Sequence, residues 1–142
     1  MQQSLHTLDN SILKVEQRPA KGELKKHLVE RGKRFVFVDN NNFPSGDLYI
    51  IARVVRNIKN KYESALPRKH SVDAVMLFMG ARSDLTGMVV EVEIAGRTRT
   101  LSSPAAAYVR AGLVHSYRIL KGSGTYVKIV QAPGGNYNAV TK

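Results

Sequence analysis

The sequence predicts an all-β domain, a sandwich or barrel, preceded by one short helix. Three observations lead there. Runs of β-branched and aromatic residues recur at short, regular spacing from residue 34 onward. Clusters of Gly, Pro, Asn, Asp and Ser punctuate them as turns. Only one stretch, ahead of all these strands, shows helical spacing. No internal repeat with a period of roughly 20–50 residues is visible, which argues against a solenoid or propeller.

Taken in order, Ile12, Leu13 and Val15 suit a short strand or arm that Pro19 ends. Gly22 to Arg31 reads as the helix: Leu24 and Leu28 share a face, Glu23 lies in the first turn and Arg31 in the last, and Gly32 is placed to cap it. Arg34–Val38 and Leu48–Val55 read as strands joined through an Asn-rich turn, and Asn57–Leu66 as a polar, basic loop. Val72–Met79 is the third strand, and Gly80–Gly87 a loop bounded by glycines. Met88–Ile94 alternates, with Glu91 and Glu93 on one side and Val90, Val92 and Ile94 on the other, and pairs through Ala95-Gly96 with Arg97–Leu101. Ser102-Ser103-Pro104 makes a corner before a short strand at Ala106–Val109. Two more strands, His115–Leu120 and Thr125–Gln131, are expected on either side of a turn at Lys121-Gly122-Ser123-Gly124, followed by a mobile tail over Tyr137–Lys142.

The chain of 142 residues fits one domain and can bury a core without staples. It has no cysteine, which excludes disulfides, thiolate metal sites and a cysteine nucleophile. No apolar run approaches the length of a membrane helix, and the N-terminus lacks a signal-peptide pattern, so the expectation is a soluble cytoplasmic protein without a membrane partner. The net charge is +11, from 22 basic and 11 acidic residues. Basic residues cluster at Lys21–Lys26, Arg31–Arg34 and Arg53–Lys69. No RNA-recognition signature, zinc finger or basic heptad helix accompanies them, so an anionic metabolite is preferred to nucleic acid as partner. Rossmann and Walker glycine loops and a Gly-X-Ser-X-Gly elbow are also missing.

The stretch Pro67–His115 carries the site expectation. Arg68-Lys69-His70-Ser71-Val72-Asp73-Ala74, with Gly80 after the strand, and Arg110-Ala111-Gly112-Leu113-Val114-His115 resemble, in degenerate form, the two motifs of the cupins. The resemblance implies a cupin-type jelly-roll β-barrel over residues 34–132, with an arm and short helix over 1–33 and a tail over 133–142. It also implies a homodimer through edge strands, for which Ser11–Val15 and Phe35–Val38 are candidates. In the family a His-X-His pair, a glutamate and a second-motif histidine hold one metal. Here Arg68 stands at the first histidine position, Ala74 at the glutamate and Arg110 at the motif-two proline, leaving His70 and His115. Two imidazoles beside a guanidinium are a poor donor set for a divalent metal. The expectation is therefore no cofactor, with a divalent metal on His70 and His115 as the alternative.

Strand alternation from His70 brings Arg68, Ala74, Met76 and Phe78 to one face, and from His115 brings Tyr117 and Ile119. The expected catalytic residues are His70, His115, Arg68 and Tyr117, and the expected pocket residues Met76, Phe78 and Tyr108. Two imidazoles suit a general acid and base, Arg68 a carboxylate or developing enolate, and Tyr117 a carbonyl. That set fits isomerisation, elimination or cyclisation of a small polar or anionic metabolite in an apolar pocket. A metal-dependent dioxygenase or isomerase, and a non-catalytic ligand-binding or sensor domain, remain as alternatives.

Overall fold

A computed structural model describes residues 11–19, 32–60 and 67–142. The helix expected at 22–31 lies outside the described residues. Eight strands follow in order: β1 (Glu16–Gln17), β2 (Lys33–Val38), β3 (Tyr49–Ile58), β4 (Ala74–Gly80), β5 (Met88–Ile94), β6 (Arg97–Ser102), β7 (Ala105–Val109) and β8 (His115–Val130). Two short 3-10 turns, Pro133–Gly135 and Asn138–Val140, end the chain. All strand pairs are antiparallel, in the order β1-β2-β3-β8-β4-β7, with β5 joined to β8 and to β6. The result is the all-β jelly-roll type expected, but the sheet does not close on itself.

β8 differs from expectation. It is one strand of 16 residues rather than two strands and a turn. Its first half pairs with β5, from Ile94↔His115 to Met88↔Gly122, and its second half lies between β3 and β4, from Val55↔Gly124 and Gly80↔Gly124 to Tyr49↔Val130 and Ala74↔Val130. The glycines serve close backbone approach, not reversal. Gly122 has φ +103°, and a Cβ there would collide with the Gly87 carbonyl. A Cβ on Gly124 would collide with the Met79 carbonyl and press on the Gly80 Cα. Ser123 bonds to neighbours on both sides, its N–H donating to Gly87 O and its carbonyl accepting from Ala81 N–H.

Alternation builds the core. Ala74, Met76 and Phe78 of β4, Met88, Val90 and Val92 of β5, and Tyr117 and Ile119 of β8 all point inward and are buried. Phe35 and Val36, expected on a free edge, pair with Gln17 and Glu16 of β1. The C-terminal segment, expected to be a mobile tail, is packed instead. Tyr137, Val140 and Thr141 are buried, and Lys142 exchanges two backbone hydrogen bonds with Lys69. Ser71 N–H donates to Val140 O, which ties the same segment to the approach to β4. Apolar and aromatic contact with the interior fixes these residues where composition alone suggested a loose end.

Candidate functional site

The segment before β4 and the start of β8 lie side by side. Arg68 and His115 exchange both backbone hydrogen bonds, at 3.0 and 2.8 Å, and His70 bridges to Thr141. This brings the two imidazole centroids to 4.8 Å. Arg68, His70, His115 and Tyr117 are all buried, at 3, 2, 1 and 3% exposure. The four residues read from sequence as catalytic are thus inside the molecule and near one another.

The hydrogen-bond network assigns the imidazole protons. His115 Nδ1 is 3.1 Å from the Leu113 carbonyl, which only accepts, so Nδ1 carries the proton. Its Nε2 lone pair then accepts from Lys128 Nζ at 2.8 Å. Thr141 Oγ1 donates to Tyr137 O, so at 3.0 Å it accepts from His70 Nδ1. Burial first, then the neighbouring Lys128 and Arg68 charges, lower the His115 pKa from 6.5 to about 3, so it is a neutral acceptor at ordinary pH. It therefore does not titrate near neutrality; what it offers at ordinary pH is the acceptor lone pair on Nε2. Burial, and then the Arg68 charge, push the Lys128 amine well below its usual range. Burial raises the Tyr126 and Tyr137 phenols, which stay protonated.

Lys128 is the residue that the sequence reading missed. It is 2% exposed and sits on β8 between Ile51 of β3 and Met76 of β4. Tyr126, two residues earlier on the same face, lies between Arg53 and Phe78. Arg53, read from sequence in the strand Leu48–Val55 and as the first of the Arg53–Lys69 basic cluster, is itself 2% exposed. Alternation puts Arg53 on a face with Ile51 and Val55 and Lys128 on one with Tyr126 and Val130, but at Lys128 the opposite face, Val127 and Ile129, is equally apolar.

Lys128, Arg53, Arg68, Tyr117, Tyr126 and Tyr137 converge with Arg34, Tyr49 and Ile51 on an interior cavity of about 10 Å³, room for about one water. The pocket is therefore cationic and phenolic, not apolar. Met76 and Phe78, expected on its wall, belong to the core behind it, where Phe78 stacks on Tyr126 at 5.3 Å. Tyr108, also expected there, is 58% exposed. It pairs with Val75, on the outward side of β4, while Val109 faces inward opposite Ala74. Its hydroxyl donates to Asp73, whose carboxylate also accepts Ala111 N–H and is held below its usual range by these bonds, the Tyr108 one foremost.

The metal that the two-motif resemblance implies does not fit these residues. Lys128 takes the His115 Nε2 lone pair, Arg68 places a permanent charge in the same cavity, and Ala74 offers no donor where the glutamate would stand. Among the described residues no cluster of three or more His, Asp or Glu side chains is placed to hold a cation.

The fold and the paired segments at Arg68–His70 and His115 define a cupin-fold domain. Among solved structures, the chain is similar to oxalate decarboxylase from Bacillus subtilis, with TM-score 0.53, 16% identity and 89% of this chain covered. It spans 31% of that chain's length. It is also similar to a protein from Planctomyces limnophilus, with TM-score 0.54, 11% identity, and 93% of this chain and 97% of that one covered. Vicilin from Corylus avellana (hazelnut) aligns with TM-score 0.51 and 14% identity over 90% of this chain and 33% of its own. At these identities the likeness is one of fold. No family model matches the sequence, and no curated protein does.

Proposed function

We propose that the chain is a small-molecule cupin that binds a small organic anion in its interior and acts on it by proton transfer. The observation that carries this reading is Arg68. Its guanidinium is buried and meets the Tyr137 hydroxyl, but its Nε and Nη1 have no hydrogen-bond partner among the described residues. A buried donor left unsatisfied costs about 1–3 kcal/mol, and an uncompensated buried charge costs more. A carboxylate between Arg68 and Lys128 offsets both. Tyr126, whose buried hydroxyl also lacks a partner among the described residues, supplies a further donor to a ligand oxygen. His115 Nε2, through Lys128, is the base that takes a proton from the ligand side.

The cavity has room for about one water, less than an organic acid needs, so binding requires its wall to move. The C-terminal segment supplies one wall through Tyr137 and is tied down by the Lys69–Lys142 and Ser71–Val140 backbone bonds and the His70–Thr141 contact, which are the bonds such a movement would break.

The test is thermal unfolding with a panel of small carboxylates, matched neutral amides and matched amines. A carboxylate at about a hundred times its Kd stabilises by about 2.7 kcal/mol, while the amides and amines leave the midpoint in place. Arg68→Met abolishes the response. Equal shifts with amides, or a full carboxylate response in Arg68→Met, would refute the reading.

A further inference from the structure

Lys128 is the one buried lysine among the described residues. Its nitrogen is enclosed, and its only partner among the described residues is the His115 Nε2 at 2.8 Å. None of the described carboxylates pairs with it: Asp39 and Glu91 are engaged by Arg18 and Arg118, and Asp73 binds Tyr108 and Ala111 on the outer face. A buried lysine kept for stability alone would be expected to meet an acid. This one meets a neutral base, held in its tautomer by the Leu113 carbonyl. A nucleophile, an adjacent base and a group orienting that base form the arrangement of covalent catalysis.

We propose that Lys128 is an imine-forming nucleophile, and that the ligand is a small oxo acid whose carboxylate is held by Arg68 and whose carbonyl carbon faces Nζ. The proposal rests on the anion-binding reading above and names its substrate class. The Nζ lone pair adds to the carbonyl carbon, forming the C–N bond, and the carbonyl π pair moves onto oxygen. Nζ gives up both its protons in turn to His115 Nε2, which passes them to that oxygen. The oxygen leaves as water and the C=N bond forms. Amine plus carbonyl gives imine plus water, with no oxidant, reductant or metal needed. Taking up one proton from solvent, the imine becomes an iminium ion, which draws electrons from the neighbouring carbon, acidifies its C–H where the oxo acid carries one, as pyruvate does, and suits proton transfer beside a carbonyl. Two features select the class. Arg68 lines the same cavity with N–H groups that have no partner among the described residues and are free for a carboxylate, and the smaller the acid, the less the cavity wall must move to admit it.

The experiment is reductive trapping. The full chain is incubated with glyoxylate or pyruvate and sodium cyanoborohydride, then read by intact mass and peptide mapping. Lactate and acetate, which lack the reacting carbonyl, are the controls. The expected result is one reduced adduct per chain, mapped to Lys128, absent with the controls and absent in Lys128→Met. His115→Gln slows trapping at least tenfold while Lys128 remains the site. Mapping on the unmodified sequence gives an answer even if a variant fails to fold. Adducts spread over surface lysines with none on Lys128 overturn the imine. If glyoxylate or pyruvate raises the unfolding midpoint but Lys128 stays unmodified, the imine is wrong and the anion site stands. If neither shift nor adduct occurs, both fall.

Discussion

Lys128 and His115 share one hydrogen bond in a place shielded from bulk solvent. Which of them holds a proton is decided by desolvation and by Arg68, and both effects oppose positive charge on either group. An amine kept there contributes little to stability, because the cost of burying it is not offset by a carboxylate among the described residues. Methionine has a similar length and no charge, so Lys128→Met is expected to leave the free energy of unfolding unchanged or raise it by about 1–2 kcal/mol in denaturant titration. A loss of several kcal/mol would show instead that the amine holds the fold together. Lys128 was hard to see in the sequence for a physical reason. It lies in Thr125–Val130, where Val127 and Ile129 make the outer face as apolar as the inner one. Alternation then does not say which face is the interior. His70, His115, Arg68 and Tyr117 were legible because each lies on a strand whose two faces differ or on a motif-like segment. Tyr108 was misplaced by a single position of the two-residue period, its neighbour Val109 being the inward one.

β8 is the element on which the site depends, since it carries His115, Tyr117, Tyr126 and Lys128 across two pairings. Its change of partner is possible because β5 and β4 approach its backbone at Gly122 and Gly124 with no side chain between. Gly124→Ala is expected to cost about 3 kcal/mol or more, since backbone rather than a flexible side chain must yield. Gly96→Ala is the control. It also has positive φ, at +80°, but a Cβ there meets nothing within 4 Å, so only the left-handed backbone penalty of about 1–2 kcal/mol applies. Equal losses in the two variants by denaturant titration would count against the close-approach explanation. The Lys121–Gly124 sequence is compatible with a turn and with a tight crossing, because glycine serves both. Only the tertiary neighbours Gly87, Met79 and Gly80 decide between them. The same holds for the C-terminal segment, whose order comes from packing Tyr137, Val140 and Thr141 rather than from any local propensity.

At the scale of the molecule, the net charge of +11 has two parts. Most of the described basic side chains are outside, but Arg34, Arg53, Arg68 and Lys128 are buried in the same interior as His70 and His115. Adding protons to such an interior works against folding. The sign follows from His115, whose pKa is lowered from 6.5 in the unfolded chain to about 3 in the folded one. Above pH 6.5 both states hold it neutral and no penalty arises. As pH falls from 6.5 toward about 3, the unfolded chain takes up a proton that the folded chain refuses, and stability drops. The slope from this one group approaches about 1.4 kcal/mol per pH unit, several kcal/mol across the window. Asp73 acts in the same direction at the acid end, its lowered pKa withdrawing stability as it protonates. Lys128, lowered from the other side, makes the same contribution at higher pH. The expected outcome is a denaturation midpoint that declines steadily through the mildly acidic range, with the decline shallower in His115→Gln. A carboxylate ligand restores part of the loss, because it brings the negative charge that the interior lacks. An unchanged acid slope in His115→Gln would mean that another group sets the acid limit, and the neutral His115 on which the proton-transfer scheme depends would have to be abandoned.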